Sequence, residues 1–177
     1  MKKFFINLSL VIVTIIIYFL QSNFFNWFQI AGVSPNLFVM FVLFIGLFGN
    51  KFMGTIYGAL IGIFLDLIFS KGIGPYLVPL TLIGFLSTIF DKNFSKDSRI
   101  TIIFMVIAST ILFEIISIFI KYILYSNNFE IMQFIRILLI EVFYNILITI
   151  IVYPLFQRFG YFIENEYKGN KILTKYF

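Results

Sequence analysis

The chain has 177 residues, of which 61% are hydrophobic and 12% charged, with a formal net charge of +5 and a mean hydropathy of +1.04. Soluble domains carry about 25% charged residues, so this composition argues for an integral membrane protein, and its aromatic content excludes intrinsic disorder. It contains no cysteine and no histidine, which removes disulfides, thiol nucleophiles, structural zinc and histidine-based metal or proton relays.

The cations are scattered between apolar runs rather than gathered in a basic patch with interleaved aromatics. Nucleic acid is therefore not an expected partner, and the basic excess reads as membrane orientation, with membrane lipid as the surrounding medium. The 26 Phe read as lipid-facing bulk. No polar linker or long charged tail divides the chain, which predicts a single integral membrane domain over 1–177.

A membrane-spanning helix needs roughly 17 to 25 apolar residues. The first run, 4–20, follows Lys2 and Lys3. It is long for a signal peptide, and the residues after it, QSNFF, offer no small-residue cleavage site, so it reads as an uncleaved span. The second, 35–49, opens on Ser34-Pro35-Asn36, where Pro35 suits a first helical turn. A tight turn at Gly49-Asn50-Lys51 leads into 52–70, and a break at Ser70 to Gly74 leads into 75–90. The polar stretch 91–99 precedes a fifth span at 100–124. The polar turn YSNNFE precedes a sixth at 134–157, with a short polar tail from Arg158. The expected fold is an all-α polytopic membrane protein, a compact bundle of six transmembrane helices.

An even number of spans puts both termini on one side. With the amino terminus inside, Lys2, Lys3, Lys51, Lys92, Lys96, Arg99, Arg158, Lys168, Lys171 and Lys175 are inside, ten of the 13 Lys and Arg. Lys71, Lys121 and Arg136 are outside. The positive-inside rule therefore predicts cytoplasmic termini.

Three acids fall within spans: Asp66, Glu114 and Glu141. An ionised side chain at the bilayer centre costs about 2.5–3.5 kcal/mol on insertion scales, so such groups face protein or water. In this topology all three lie at comparable depth in the outer half. On the fifth span Thr110, Glu114, Ser117 and Lys121 share a helical stripe, and on the sixth Glu141 and Asn145 are a turn apart, with Thr149 a turn further. The expectation is a polar intramembrane layer of Asp66, Glu114, Ser117, Lys121, Glu141 and Asn145. On the third span Gly54, Gly58, Gly62 and Asp66 recur every four residues, a spacing that lets membrane helices approach closely. The fourth span has a weaker small face in Thr81, Gly84 and Thr88. The third span is accordingly expected at the centre of the bundle.

Three uses of the acids stay open. They are hydrogen-bonded glue between helices, through Lys71, Lys121, Arg136 or Asn145; or they line an outward polar cavity for a ligand or a partner's helix; or they form an ion pathway. The inner half lacks the acids that would complete such a pathway. Enzymatic chemistry finds little footing. Asp66 has no second aspartate within the membrane for aspartyl proteolysis, serine chemistry lacks histidine, and GTIYG is not followed by the Lys-Ser/Thr of a phosphate loop. No catalytic residue, cofactor or metal ligand is expected.

The stretch 34–86 resembles the rod-shape-determining MreD family of bacteria. The family has a proline opening the second span, then a turn and a glycine-rich span ending G-x-x-x-D. A glycine-containing loop and a glycine-bearing helix follow. Here Pro35, Gly54, Gly58, Gly62, Asp66, Gly72, Gly74 and Gly84 match, as do the total length, six spans and a basic tail. Asn36 stands where the family often has an acid. The resemblance implies a non-enzymatic scaffold of the cell-elongation complex that binds an MreC-type protein. With that partner it links MreB filaments to a peptidoglycan polymerase and its transpeptidase, and the matching residues pack helices or dock the partner.

A second class is the six-helix substrate-binding S component of energy-coupling-factor vitamin transporters, similar in size and with an outward cavity. Those proteins dock through an A-x-x-x-A pattern on the first span, and LSLVIVTIIIYFL has no such alanines.

Overall fold

The computed structural model describes residues 2–49, 52–93, 98–125 and 130–168. Among them the chain forms six helices and no strand. The Asn50-Lys51 turn, residues 94–97 and 126–129, and the tail lysines Lys171 and Lys175 lie outside the described residues.

Helix α1 covers Lys2–Phe19 and runs on through a π-helical stretch, Leu20–Phe24, into a last turn at Phe25–Trp27. A reversal follows in which Ile30 and Val33 exchange both backbone hydrogen bonds at 3.0 Å. Ala31 and Gly32 between them have φ of 52° and 81°, the mirror-image turn that glycine and a few other residues tolerate. Next come α2 at Leu37–Phe48, α3 at Met53–Phe69, α4 at Leu77–Asn93, α5 at Arg99–Tyr125 and α6 at Ile131–Lys168.

Three helical runs are long and apolar enough to cross a membrane: Lys2–Trp27, Arg99–Tyr125 and Ile131–Tyr167. The other three are shorter. Helix α2 has 12 residues, about 18 Å at 1.5 Å per residue, against a hydrocarbon core of about 30 Å.

That short helix is the centre of the molecule. Every residue from Leu37 to Phe48 is buried, and α2 touches α3, α4, α5 and α6. A helix apolar on all sides is stable only when surrounded, and here protein supplies the surround. The expectation that α3 is central is thereby corrected. Ile56, Leu60, Phe64 and Leu67 of α3 are exposed, so that helix shows one face to the lipid and only its glycine face inward.

Helix α6 also departs from its expected bounds. It has 38 residues, about 57 Å of helix, and continues well past 157 to Lys168. The reason lies in Gly160, Ile163 and Tyr167, spaced as one helical face. Gly160 sits directly on the Phe48 ring, Ile163 is buried, and the Tyr167 hydroxyl donates to Asn7 Oδ1 at 2.9 Å. Lys2 Nζ meets Glu166 Oε1 at 3.1 Å, so the start of α1 and the end of α6 lie together. Helix α4 likewise runs on through Asp91, expected in the polar loop, to Asn93.

The outer faces are apolar. Phe5, Ile15, Phe19, Phe104, Ile151 and Leu155 are all exposed, a continuous display that fits lipid and not water.

Candidate functional site

The tightest packing lies between α2, α3 and α4. A Cβ placed on Gly54 would stand 2.6 Å from both Gly46 Cα and the Gly84 carbonyl oxygen, and one on Gly84 would strike the Gly54 carbonyl. A Cβ on Gly58 would meet the Leu80 carbonyl, and one on Gly62 would lie 2.5 Å from Leu77 Cα. Across this seam backbone rests on backbone, which maximises dispersion contacts where lipid offers no hydrophobic driving force. Gly46 completes the seam by facing Ser87, whose hydroxyl donates to the Gly84 carbonyl at 2.7 Å. Gly46 was not singled out from the sequence, because one small residue in the run LFVMFVLFIGLF has no spacing partner.

At the end of the seam stands Asp66, only 1% exposed. Its Oδ2 accepts from the backbone N–H of Gly74 at 2.7 Å and of Leu77 at 3.0 Å, and its Oδ1 from that of Tyr76 at 2.9 Å. The first N–H groups of a helix have no partner within it, and away from water they must find one. Asp66 supplies that partner from the preceding helix, and its charge complements the positive end of α4. Gly74, with φ of 140°, turns its N–H toward the carboxylate in a conformation that side-chain-bearing residues rarely adopt.

A second polar knot joins α1, α2, α5 and α6. Asn145 Oδ1 accepts from the Asn36 N–H at 2.8 Å, and Asn145 Nδ2 donates to Thr110 Oγ1 at 2.9 Å. Asn36 caps its own helix, its side chain accepting from the Val39 N–H at 3.3 Å. Gln21, within the π-helical stretch, donates to the buried Pro35 carbonyl at 2.6 Å and accepts from the Leu37 N–H at 3.1 Å. Thr149 donates to the Asn145 carbonyl at 2.6 Å. The start of α2 is thus held by three side chains from three helices. Gln21 and Asn36 were missed as site residues; the usable signals were a glutamine ending an apolar run and an N-cap asparagine after Pro35.

Beside this knot a cavity of about 370 Å³ is lined by Gln21, Ser22, Asn36, Tyr76, Phe113, Glu114, Lys121 and Glu141 among others. It lies at the Trp27 end of the bundle, away from the Lys2–Glu166 contact. Asp66, Glu114 and Glu141 all lie around Tyr76, but they differ in use. Asp66 is spent on backbone, whereas Glu114 and Glu141 lie next to each other on the cavity wall. Lys121 Nζ stands 5.8 Å from the Tyr76 ring centroid. Ser117, on the same face of α5, is buried with its hydroxyl unpaired.

The remaining expected residues are peripheral. A Cβ on Gly72 would meet nothing closer than 3.6 Å, and nothing in the structure requires glycine there. Lys71 donates its backbone N–H to the Tyr125 hydroxyl at 3.1 Å, and Arg136 is exposed. Among the described residues no three His, Cys, Asp or Glu are grouped to hold a metal ion.

A family model described as rod shape-determining protein MreD matches residues 1–162. No curated protein and no solved structure matches the chain.

Proposed function

The chain belongs to the rod shape-determining MreD family, and from that premise we propose that it is a non-enzymatic membrane scaffold of the bacterial cell-elongation complex. It binds the transmembrane segment of an MreC-type partner and helps couple MreB filaments to a peptidoglycan polymerase and its transpeptidase. It sits in the cytoplasmic membrane with both termini in the cytoplasm. The family match over most of the chain carries this reading.

The geometry supports it in two ways. The glycine seam and the Asp66 cap make a stiff block of α2, α3 and α4, the property a platform needs. Helices α1 and α6 converge at their Lys2–Glu166 ends but leave a wholly apolar groove of about 550 Å³ between them, floored by Leu37 and Met40 and walled by Val13, Ile17, Ile148 and Val152. A partner's transmembrane helix fits such a groove by apolar packing, since in lipid that packing drives helix association.

Affinity purification of the full chain co-expressed with an MreC-type protein tests the reading. Recovery of the partner is expected with the unaltered chain, and loss of recovery with Ile151→Trp combined with Leu155→Trp, which fill the groove from α6. Failure of the unaltered chain to retain the partner overturns the scaffold reading. Full recovery with the inserted double variant overturns the groove as its docking place.

A further inference from the structure

Glu141 is 4% exposed, and its Oε1 has no hydrogen-bond partner. Buried polar atoms nearly always have one, and Glu141 lines a cavity with Glu114 beside it, so its unpartnered carboxylate oxygen marks a place suited to a donor. Ser22 Oγ, on another wall of the same cavity, is also unpartnered. The nearby cation does not fill the role, because Lys121 lies toward the Tyr76 ring and among the described residues forms no ion pair with either glutamate.

The cavity continues. A second hollow of about 440 Å³ shares Phe69, Tyr76 and Lys121 with the first and leads to Ser70, Lys71 and Tyr125. Lys121 lines both hollows, so the joined space runs from Glu114 and Glu141 in the first, past Lys121, to Lys71 in the second. Two carboxylates at one end, with one ammonium group midway and another at the far end, suit a ligand that carries both signs and no net charge.

We propose that this space binds a small zwitterion, its primary ammonium between Glu114 and Glu141 and its anionic group at Lys71 and Lys121. An ammonium group has three donors, enough to engage both glutamates and Ser22 Oγ together. The Tyr76 ring lies beside the path and favours a cation at its face. The volume of the first hollow falls near the lower end of the range for small-molecule pockets, about 300–1,000 Å³, which suits an amino acid or an aminoalkyl phosphate. The same ammonium–phosphate chemistry occurs in a free aminoalkyl phosphate and in the headgroup of phosphatidylethanolamine. The site goes beyond scaffolding and does not depend on a protein partner.

Calorimetric titration of the full chain in phosphatidylglycerol nanodiscs tests it, with O-phosphoethanolamine and glycine as probes and ethanolamine and inorganic phosphate as half-ligands. One zwitterion is expected to bind at least about tenfold more tightly than either half, and Glu141→Gln to weaken it about as much while the protein still unfolds at the wild-type temperature. Should Glu141→Gln not fold, Glu114→Gln, at a half-buried position, makes the same comparison. Native mass spectrometry in mixed nanodiscs separates the sources. Selective retention of phosphatidylethanolamine, lost in the glutamine variant, assigns the headgroup, and binding of the free probe alone assigns a soluble ligand. The proposal is overturned if neither probes nor phosphatidylethanolamine bind, if ethanolamine alone binds as tightly as the zwitterions, or if the glutamine variants bind unchanged.

Discussion

Gly74 donates its backbone N–H to Asp66 Oδ2 at 2.7 Å across the turn between α3 and α4, from a φ of 140°. Tyr76 and Leu77 add two further N–H donors. The carboxylate of one helix therefore closes the open end of the next, and the glycine seam holds the two axes near enough for it to reach. Seam and cap act together, since widening the seam would carry Asp66 away from its donors.

Asp66→Ala is expected to destabilise the bundle by about 3 kcal/mol, because one buried and two part-buried N–H groups lose their acceptor at roughly 1–3 kcal/mol for each buried group, partly offset by relaxation. Asp66→Asn keeps one accepting oxygen and should fall between the two. Unfolding of purified protein in detergent reads the effect; an Asp66→Ala midpoint equal to wild type would sink the capping account.

Gly84→Ala is expected to cost about 1–3 kcal/mol, the usual range for overpacking, because the new methyl meets the Gly54 carbonyl. Gly72→Ala serves as the control, since its methyl finds only ordinary contacts at 3.6 Å and beyond. The same unfolding assay should separate the two variants clearly, and equal losses would show that backbone contact is not what selects glycine at 84.

Asn145→Leu leaves the Asn36 N–H and Thr110 hydroxyl without the partners they have at 2.8 and 2.9 Å, an expected loss of about 2 kcal/mol. Hydrogen exchange at the start of α2 should speed up in this variant more than at the start of α4. Uniform acceleration would argue that Asn145 supports the whole bundle and not this junction.

The chain has no cysteine, so single introduced thiols report orientation without background. Trp27→Cys, at a position 89% exposed, should react with an impermeant maleimide in intact cells. Lys3→Cys, at the opposite end of α1, should react only after the membrane is opened. The reverse pattern would invert the proposed topology.

Glu166→Gln removes the Lys2 ion pair, which is largely exposed on the lysine side. Such pairs contribute about 0–1 kcal/mol, so little change in unfolding is expected. Gly160→Leu should do far more, because its side chain would enter the Phe48 ring. A larger effect from Glu166→Gln than from Gly160→Leu would overturn this ranking of charge below packing.

Much of the helical layout was legible in the bare chain. Continuous apolar runs bounded by Ser34-Pro35-Asn36, Ser70 to Gly74 and the charged 91–99 stretch mark where helices start and stop, because a backbone in lipid must satisfy its own hydrogen bonds. The four-residue spacing of Gly54, Gly58 and Gly62 marks one face of α3, since such residues stack along a helix. The end of α6 was less legible, as Gly160, Ile163 and Tyr167 declare a packing face only once Phe48 and Asn7 stand opposite them.

Two matters rested on packing alone. Hydropathy cannot tell α2, enclosed by protein, from a helix enclosed by lipid, because both surroundings are equally apolar; the burial of all its residues from Leu37 to Phe48 settles it. Nor could the three acids be sorted by residue type. Asp66 reaches three N–H groups because the seam brings the start of α4 beside it, while Glu141 lines a cavity next to Glu114. Composition and hydrophobic spacing therefore sufficed for a helical membrane protein, since they follow from local backbone and solvent demands. The use of each carboxylate depended on which distant backbone donors the folded chain brought within about 3 Å of it.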